Sequence, residues 1–210
     1  MTSNSLVGPK PDMLSKKRSH IVFIEYILPL SIMNLDTTIF FYLNSFAGHS
    51  MARDSMILFV AEYLPVLLIF FLVVFILSSQ NPLKVKLTTL VLAFTSALIS
   101  RFGAGSAIRY FWHRDRPFLT YHVHQLLLEN SYSFPSGHST FLFGFSTIVY
   151  MHHRRMGTFS YIVSALIVMA RVIAGVHYPS DIFAGAVIGV IIGVLVNRYL
   201  NPLFFKSLNL

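Results

Sequence analysis

The chain has 210 residues, 55% of them hydrophobic and 11% charged, with a mean hydropathy of +0.66; soluble domains carry roughly a quarter charged residues, so the composition points to a membrane. With no cysteine there is no disulfide framework, thiolate metal site or cysteine nucleophile. The formal charge of +8 reads as topology and head-group charge and not as a nucleic-acid interface, because basic residues in membrane proteins set orientation and meet anionic lipid.

Residues 1–20 contain Lys10, Lys16, Lys17 and Arg18 without a small-residue cleavage site, which gives a polar, basic tail ahead of a single membrane-embedded domain over residues 21–210. Residues 21–46 are apolar but broken by Glu25, Pro29, Asn34 and Asp36, so one span and an interfacial helix both fit. Clearer spans follow at 55–77, 87–112, 139–151, 159–174 and 182–200, divided by turn formers at 78–82, 113–135, 152–157 and 177–179. The expected fold is therefore an all-α integral membrane protein, a bundle of five to six transmembrane helices. Gly185, Gly189 and Gly193 recur every fourth residue and stripe one helix face for close packing.

Lys84 with Lys86, Arg154 with Arg155, and Arg198 with Lys206 fall on one side of this topology, which the positive-inside bias makes cytoplasmic. Connections 113–135 and 177–179 then lie outside. A cytoplasmic basic tail requires residues 21–46 to cross, making six spans; with five, the tail lies outside against the rule.

Three polar clusters meet the outer ends of these spans. Arg109 precedes Arg116-Pro117 by six residues; Pro135-Ser136-Gly137-His138 opens a span; Arg171, five residues, His177, three residues and Asp181 close the set. These residues resemble the three-part signature of the type 2 phosphatidic acid phosphatase (PAP2) superfamily, in order and at its spacing, over about a third of the chain. In two places the chain departs from that signature: Arg109 stands for the usual Lys, exchanging a point charge for a planar fork, and Ala170 stands for the usual Ser, so no role carries over there. The resemblance implies a PAP2-type helix bundle acting as a lipid phosphatase in a bacterial cytoplasmic membrane.

The chemistry explains the company these residues keep. Phosphoryl transfer spreads negative charge over nonbridging oxygens, so fixed cations and preorganised donors supply much of the catalysis. Arg109, Arg116 and Arg171 provide the cations, and backbone N–H groups at Ser136 and Gly137 precede a helix whose dipole favours an anion. An imidazole at His177 attacks phosphorus if one ring nitrogen is unprotonated and the other is held, and Asp181 is the acceptor that holds it. By resemblance, His138 protonates the leaving lipid oxygen and then activates water. The scheme needs no metal or other cofactor, and its partner is a lipid phosphate or diphosphate in the membrane, with no obligatory protein partner.

A lone histidine at a membrane end is ordinarily interfacial, and scattered arginines ordinarily snorkel; it is the joint spacing that makes these residues a site. His113, His122 and His124 near the outer lip are read as structural or head-group residues, and His152 and His153 fall on the far side. Glu62 and Arg101 lie at similar depth in adjacent spans, roughly 15 Å in at 1.5 Å per residue. They are expected to pair or to line the cavity below the phosphate, since unpaired charges at depth are costly.

The run Arg114-Asp115-Arg116-Pro117-Phe118, the stretch 134–140 and the Glu62-Tyr63 pair resemble bacterial undecaprenyl-diphosphatases of the bacitracin-resistance type, which implies a role in cell wall biogenesis. Gly137 stands where several of that group carry Asp, and Pro-Ser-Gly-His is shared with phosphatidylglycerophosphate and phosphatidic acid phosphatases. A phosphatase for those lipids or for lipid A phosphate would use the same residues. A noncatalytic lipid-phosphate binder or transporter is a further alternative, and the intact His138, His177 and Asp181 argue against it.

Overall fold

The computed structural model describes the backbone of residues 30–207 and the side chains of residues 35–202, and the regular elements among them are all helical. The expected tail over residues 1–20 and the start of the ambiguous segment lie outside the described residues. Helix α1 spans Leu30–Asn44. Gly48 then turns the chain with φ +76°, where a Cβ would stand 2.3 Å from the His124 ring.

Four helices among the described residues are long and apolar enough to cross a membrane: α2 (Met51–Ser78), α3 (Leu83–Phe111), α6 (Arg154–Ile173) and the Pro179–Pro202 portion of α7 (Pro179–Ser207). A short helix, α4 (Pro117–Thr120), lies in the connection between α3 and α5. The remaining one, α5 (Gly137–His152), has 16 residues, about 24 Å at 1.5 Å per residue and short of the roughly 30 Å hydrocarbon core.

Helix α5 is nevertheless the centre of the bundle, packed on α7, α6 and α3. Enclosed by protein, it can be built from small and hydroxylated residues that a lipid-facing helix would disfavour. The predicted glycine stripe on α7 is the surface it meets: Cβ atoms at Gly185, Gly189 and Gly193 would stand 2.8, 2.6 and 2.6 Å from atoms of Ser139, Thr140 and Thr147. Toward α6, the Ser146 hydroxyl is 2.6 Å from that of Ser160. Close backbone approach and short polar contacts hold the interior together.

The basic connections gather at the end of the bundle where α5 stops. There Lys86 donates to the Leu77 carbonyl at 2.7 Å, the His152 ring lies 3.0 Å from Thr89 Oγ1 and 3.3 Å from Asn197 Oδ1, and Arg154 and Arg155 are exposed.

Neither α2 nor α3 is a regular α-helix throughout. A π turn at Phe59–Tyr63 carries Glu62 and another at Ile99–Gly105 carries Arg101, features that recur at functional sites. The two helices pack on each other over 64–78 and 83–98; beyond that level α2 leans on α6, while α3 leans on α5 and α7.

Candidate active site

Helix ends explain the third cluster's spacing. The Val176 N–H donates to the Arg171 carbonyl at 3.2 Å and the Gly175 N–H to that of Val172 at 3.0 Å, with Gly175 at φ +81°. This double bond pattern around a left-handed glycine ends a helix and reverses the chain, so Arg171 and His177 return to one level. A Cβ at Gly175 would stand 2.7 Å from the His124 carbonyl. Pro179 begins α7, and Asp181 in its first turn accepts the Tyr178 N–H at 2.9 Å, as an acidic residue at that position characteristically does. The carboxylate is thereby fixed beneath the His177 ring.

Asp181 is fully buried and densely satisfied. Arg114 Nη1 donates to its Oδ1 at 2.7 Å, and Ser133 donates to its Oδ2. His177 Nδ1 is 3.5 Å from Oδ2. The other ring nitrogen, Nε2, faces Arg116 Nη1 at 3.4 Å; because a guanidinium only donates, this network assigns the proton to Nδ1 and the lone pair to Nε2. Burial lowers the His177 pKa to about 4 against the upward pull of Asp181, with Arg116 and Arg171 adding to the decrease. The ring is therefore neutral at pH 7.

Arg116 is a strut as much as a charge. It donates to the Ser131 carbonyl at 2.6 Å, the Val176 carbonyl at 2.7 Å and the Ser131 hydroxyl at 3.1 Å, tying the connection over residues 113–135 to the His177 turn. Arg171 donates to the Ala61 carbonyl at 3.3 Å, while its Nε is buried without a partner. Arg109 donates to the Pro135 carbonyl at 2.9 Å and the Arg101 carbonyl at 3.3 Å.

The second cluster is stitched to the third: the Ser136 N–H donates to the Asp181 carbonyl at 3.1 Å, and the Ser139 hydroxyl to the Ile182 carbonyl at 2.6 Å. Ser136 caps α5, but its hydroxyl makes no capping bond and is buried without a partner. The first-turn N–H groups of α5 thus keep their capacity for an anion. His138, in that turn, lies within electrostatic reach of Arg171, Arg101 and His177.

The expected direct pairing of Glu62 with Arg101 is not formed: no ion pair joins these two residues. Their helices part at this level, and each π turn shifts the faces that regular helical spacing implies. Glu62 follows Ala61, whose carbonyl accepts from Arg171, whereas Arg101 reaches Gly137, with its guanidinium carbon 3.5 Å from where a Cβ would stand.

Three residues of the site escaped the sequence reading. Glu129 forms ion pairs with Arg171 and, at 3.5 Å, with Arg116; as the sole carboxylate between Asp115 and Asp181, facing several arginines, it was detectable in principle. Arg114 was visible beside the Arg116-Pro117 element but carried no signal of its bond to Asp181. Ser133 is one of several serines in a polar stretch. Above them opens a cleft of about 710 Å³ whose lining includes Arg109, His113, Arg116, Glu129 and Tyr132. The His113 ring packs on Tyr132 at 4.4 Å, and the His124 backbone is held by Asn44.

The sequence profile of the PAP2 superfamily matches residues 86–204, more than half of the chain. The chain is similar to the bacitracin transport permease protein BcrC of Bacillus licheniformis, with 28% identity over 170 residues covering 80% of this chain and 81% of the relative. It is also similar to the undecaprenyl-diphosphatase BcrC of Bacillus subtilis (strain 168), 26% identical over 163 residues, 77% of this chain and 82% of the relative. Among solved structures, Aquifex aeolicus LpxE superposes with a TM-score of 0.62 at 27% identity, covering 79% of this chain and 96% of that one. A PAP2 type phosphatidylglycerolphosphate phosphatase from Bacillus subtilis gives 0.60 at 18% identity, covering 90% and 96%, a likeness of fold alone.

Proposed function

The chain belongs to the PAP2 superfamily, and from that premise we propose that this multi-pass membrane protein is a lipid phosphatase that hydrolyses undecaprenyl diphosphate to undecaprenyl phosphate and inorganic phosphate. The observation that carries the phosphatase reading is the two-sided setting of His177: Asp181 lies 3.5 Å from Nδ1, and a buried arginine lies 3.4 Å from Nε2. A neutral imidazole so held is a nucleophile aimed at an anion.

In this reading Nε2 forms a bond to the terminal phosphorus while the bond from phosphorus to the lipid-side oxygen breaks, and His138, protonated once the substrate's negative charge stands beside it, gives that oxygen its proton. Water then attacks the phosphohistidine, His138 takes the water's proton, the N–P bond breaks and phosphate leaves. Arg109, Arg116 and Arg171, with the first-turn N–H groups of α5 and the Ser136 hydroxyl, hold the nonbridging oxygens. Arg114, Ser133 and the Tyr178 N–H orient Asp181.

The diphosphate is favoured by the likeness to the Bacillus subtilis undecaprenyl-diphosphatase, which extends over most of both chains. A bacterial cytoplasmic membrane with the site on the extracytoplasmic side is supported by the basic connections at the opposite end of the bundle. Phosphate release from undecaprenyl diphosphate, phosphatidic acid and phosphatidylglycerophosphate, measured on the purified protein in detergent, tests the reading. A preference of about tenfold or more for the diphosphate is expected; preference for a monophosphate lipid overturns the substrate, and no release from any of them overturns the activity.

A further inference from the structure

Arg171 is gripped from two sides. Its Nη2 donates to Glu129, and its Nη1 donates at 3.3 Å to the carbonyl of Ala61 on α2, 110 residues away in the chain. A carbonyl inside a regular helix accepts the N–H four residues on, which for Ala61 is position 65. Residue 65 is proline and has no N–H to give. The Leu64 N–H beside it reaches back to the Phe59 carbonyl, the longer bond of the π turn over Phe59–Tyr63. The Ala61 carbonyl is thereby left without its helical donor, and Arg171 supplies one.

In a membrane bundle such a freed carbonyl is met by a neighbouring helix, a Ser or Thr side chain or ordered water. Here the donor is a buried cation of the third cluster, and the packing suits that contact. Ala61 and Pro65 are both buried, and Ala61 lies in one buried cluster with Ala170 and Ala174, which flank Arg171 on α6. Three methyl side chains let the two backbones approach. With Nη1 and Nη2 both held, the Arg171 Nε, buried without a partner, is left as a donor for a ligand.

We propose that Pro65 is a positioning residue for phosphate binding: by freeing the Ala61 carbonyl it fixes the Arg171 guanidinium at the anion site. This rests on the reading of Arg171 as a group that holds the nonbridging oxygens. Residues 61–65 precede the stretch matched by the family profile, 86–204, so the device is a contribution of α2 to a cluster carried by later parts of the chain. An N–H at position 65 would return the helical donor to Ala61 and draw its carbonyl back along the helix axis. A guanidinium then held at one end only would face the anion for part of the time, and affinity falls with that fraction.

The test is a double-mutant cycle of Pro65→Ala and Arg171→Ala on the purified full-length protein in detergent. Orthophosphate affinity is read from the rise in melting temperature as orthophosphate is added, which needs no turnover. Pro65→Ala is expected to weaken orthophosphate binding roughly 5- to 20-fold, while its ligand-free melting temperature stays within about 4 °C of native. In the Arg171→Ala background the same change should alter affinity by no more than about twofold, because the group it acts through is gone. Where Arg171→Ala abolishes binding altogether, the affinity and melting temperature of Pro65→Ala decide on their own. Native affinity in Pro65→Ala, or an equal loss in both backgrounds, overturns the proposal. It is also overturned if Pro65→Ala and Pro65→Gly, which both supply the N–H, melt far below native or fail to fold, since the proline would then serve the fold. If Arg171→Ala binds orthophosphate as the native protein does, or the native protein binds none, the reading of Arg171 as a phosphate ligand falls and takes the proposal with it. That outcome is distinct from native affinity in Pro65→Ala beside weakened affinity in Arg171→Ala, which overturns the proposal alone.

Discussion

The two ends of the bundle are alike in composition and opposite in construction. Each gathers a pair of histidines and several basic residues: His138 and His177 with five arginines at one end, His152 and His153 with Lys84, Lys86, Arg154 and Arg155 at the other. At the basic end the histidines are sequence neighbours that meet neutral Asn and Thr side chains, and Arg154 and Arg155 face outward. At the other end the charged groups come from α3, α5, α6, α7 and the long connection between α3 and α5, and Arg116, Arg171, His177 and Asp181 are all almost wholly buried. Burying charge is tolerated only where partners compensate it, so enclosure with built partners separates a reactive end from a topological one.

The largest break in that comparison is His177→Ala. Removing the proposed nucleophile is expected to lower turnover by about 10⁴-fold or more, checked by phosphate release from undecaprenyl diphosphate. Asp181→Asn should follow with a loss of about 10²–10⁴-fold, because an amide can offer the ring an N–H and favour the wrong tautomer. A variant retaining native turnover at either position would place the chemistry elsewhere.

Acid pH should sharpen the same contrast. A His177 pKa lowered to about 4 means the neutral, nucleophilic ring persists below the ordinary imidazole value. The acid limb of kcat/KM assigned to it should fall roughly tenfold per unit only below about pH 4. The sign for stability agrees: between the ordinary value of 6.5 and about 4 the unfolded chain binds a proton that the folded one refuses, so the fold loses stability as pH falls through that window. An acid limb centred near 6.5 would mean that the ring is not enclosed as described.

Much of this site was legible because helix ends impose short spacings. Six residues from Arg171 to His177 reflect a glycine-capped helix end, and four from His177 to Asp181 reflect a proline-started helix whose first turn returns a carboxylate. The glycine stripe was legible for a similar reason, as one face of one helix. Glu129, Ser133 and the Arg114–Asp181 bond were not, because they depend on how the connection over residues 113–135 folds back, and no local periodicity encodes that path. The direct Glu62–Arg101 pair is the alternative that does not form, because the π turns leave no mark on the hydrophobic pattern and shift a helix face by a residue. Helix α5 was legible as apolar but not as central, since its short length and small residues become intelligible only once three other helices surround it.

Glu129 offers a subtler test of the reactive end. Its carboxylate, in the lining of the cleft, bridges Arg116 and Arg171, and under the proposed function phosphate oxygens would make the same bonds in competition with it. Glu129→Gln removes the competing charge and should tighten inhibition by orthophosphate by about tenfold, the size of one charge-assisted hydrogen bond. Weaker inhibition would instead make Glu129 a support that holds the two arginines in place.

The smallest effect belongs to the other end. His152 sits between Thr89 and Asn197 and contacts no group of the reactive cluster, so His152→Ala removes two neutral hydrogen bonds and nothing that touches substrate. Turnover should stay within about twofold of native, and stability should fall by about 1–2 kcal/mol, read as a lower melting temperature in detergent. A large loss of turnover without a loss of stability would contradict the division between the ends, because it would require a histidine at the far end of α5 to act on chemistry at the near one. Among the described residues, α5 is the only helix whose first turn lies at the proposed phosphate site while its last turn carries a histidine of the basic end, so it is the element through which such coupling would have to pass.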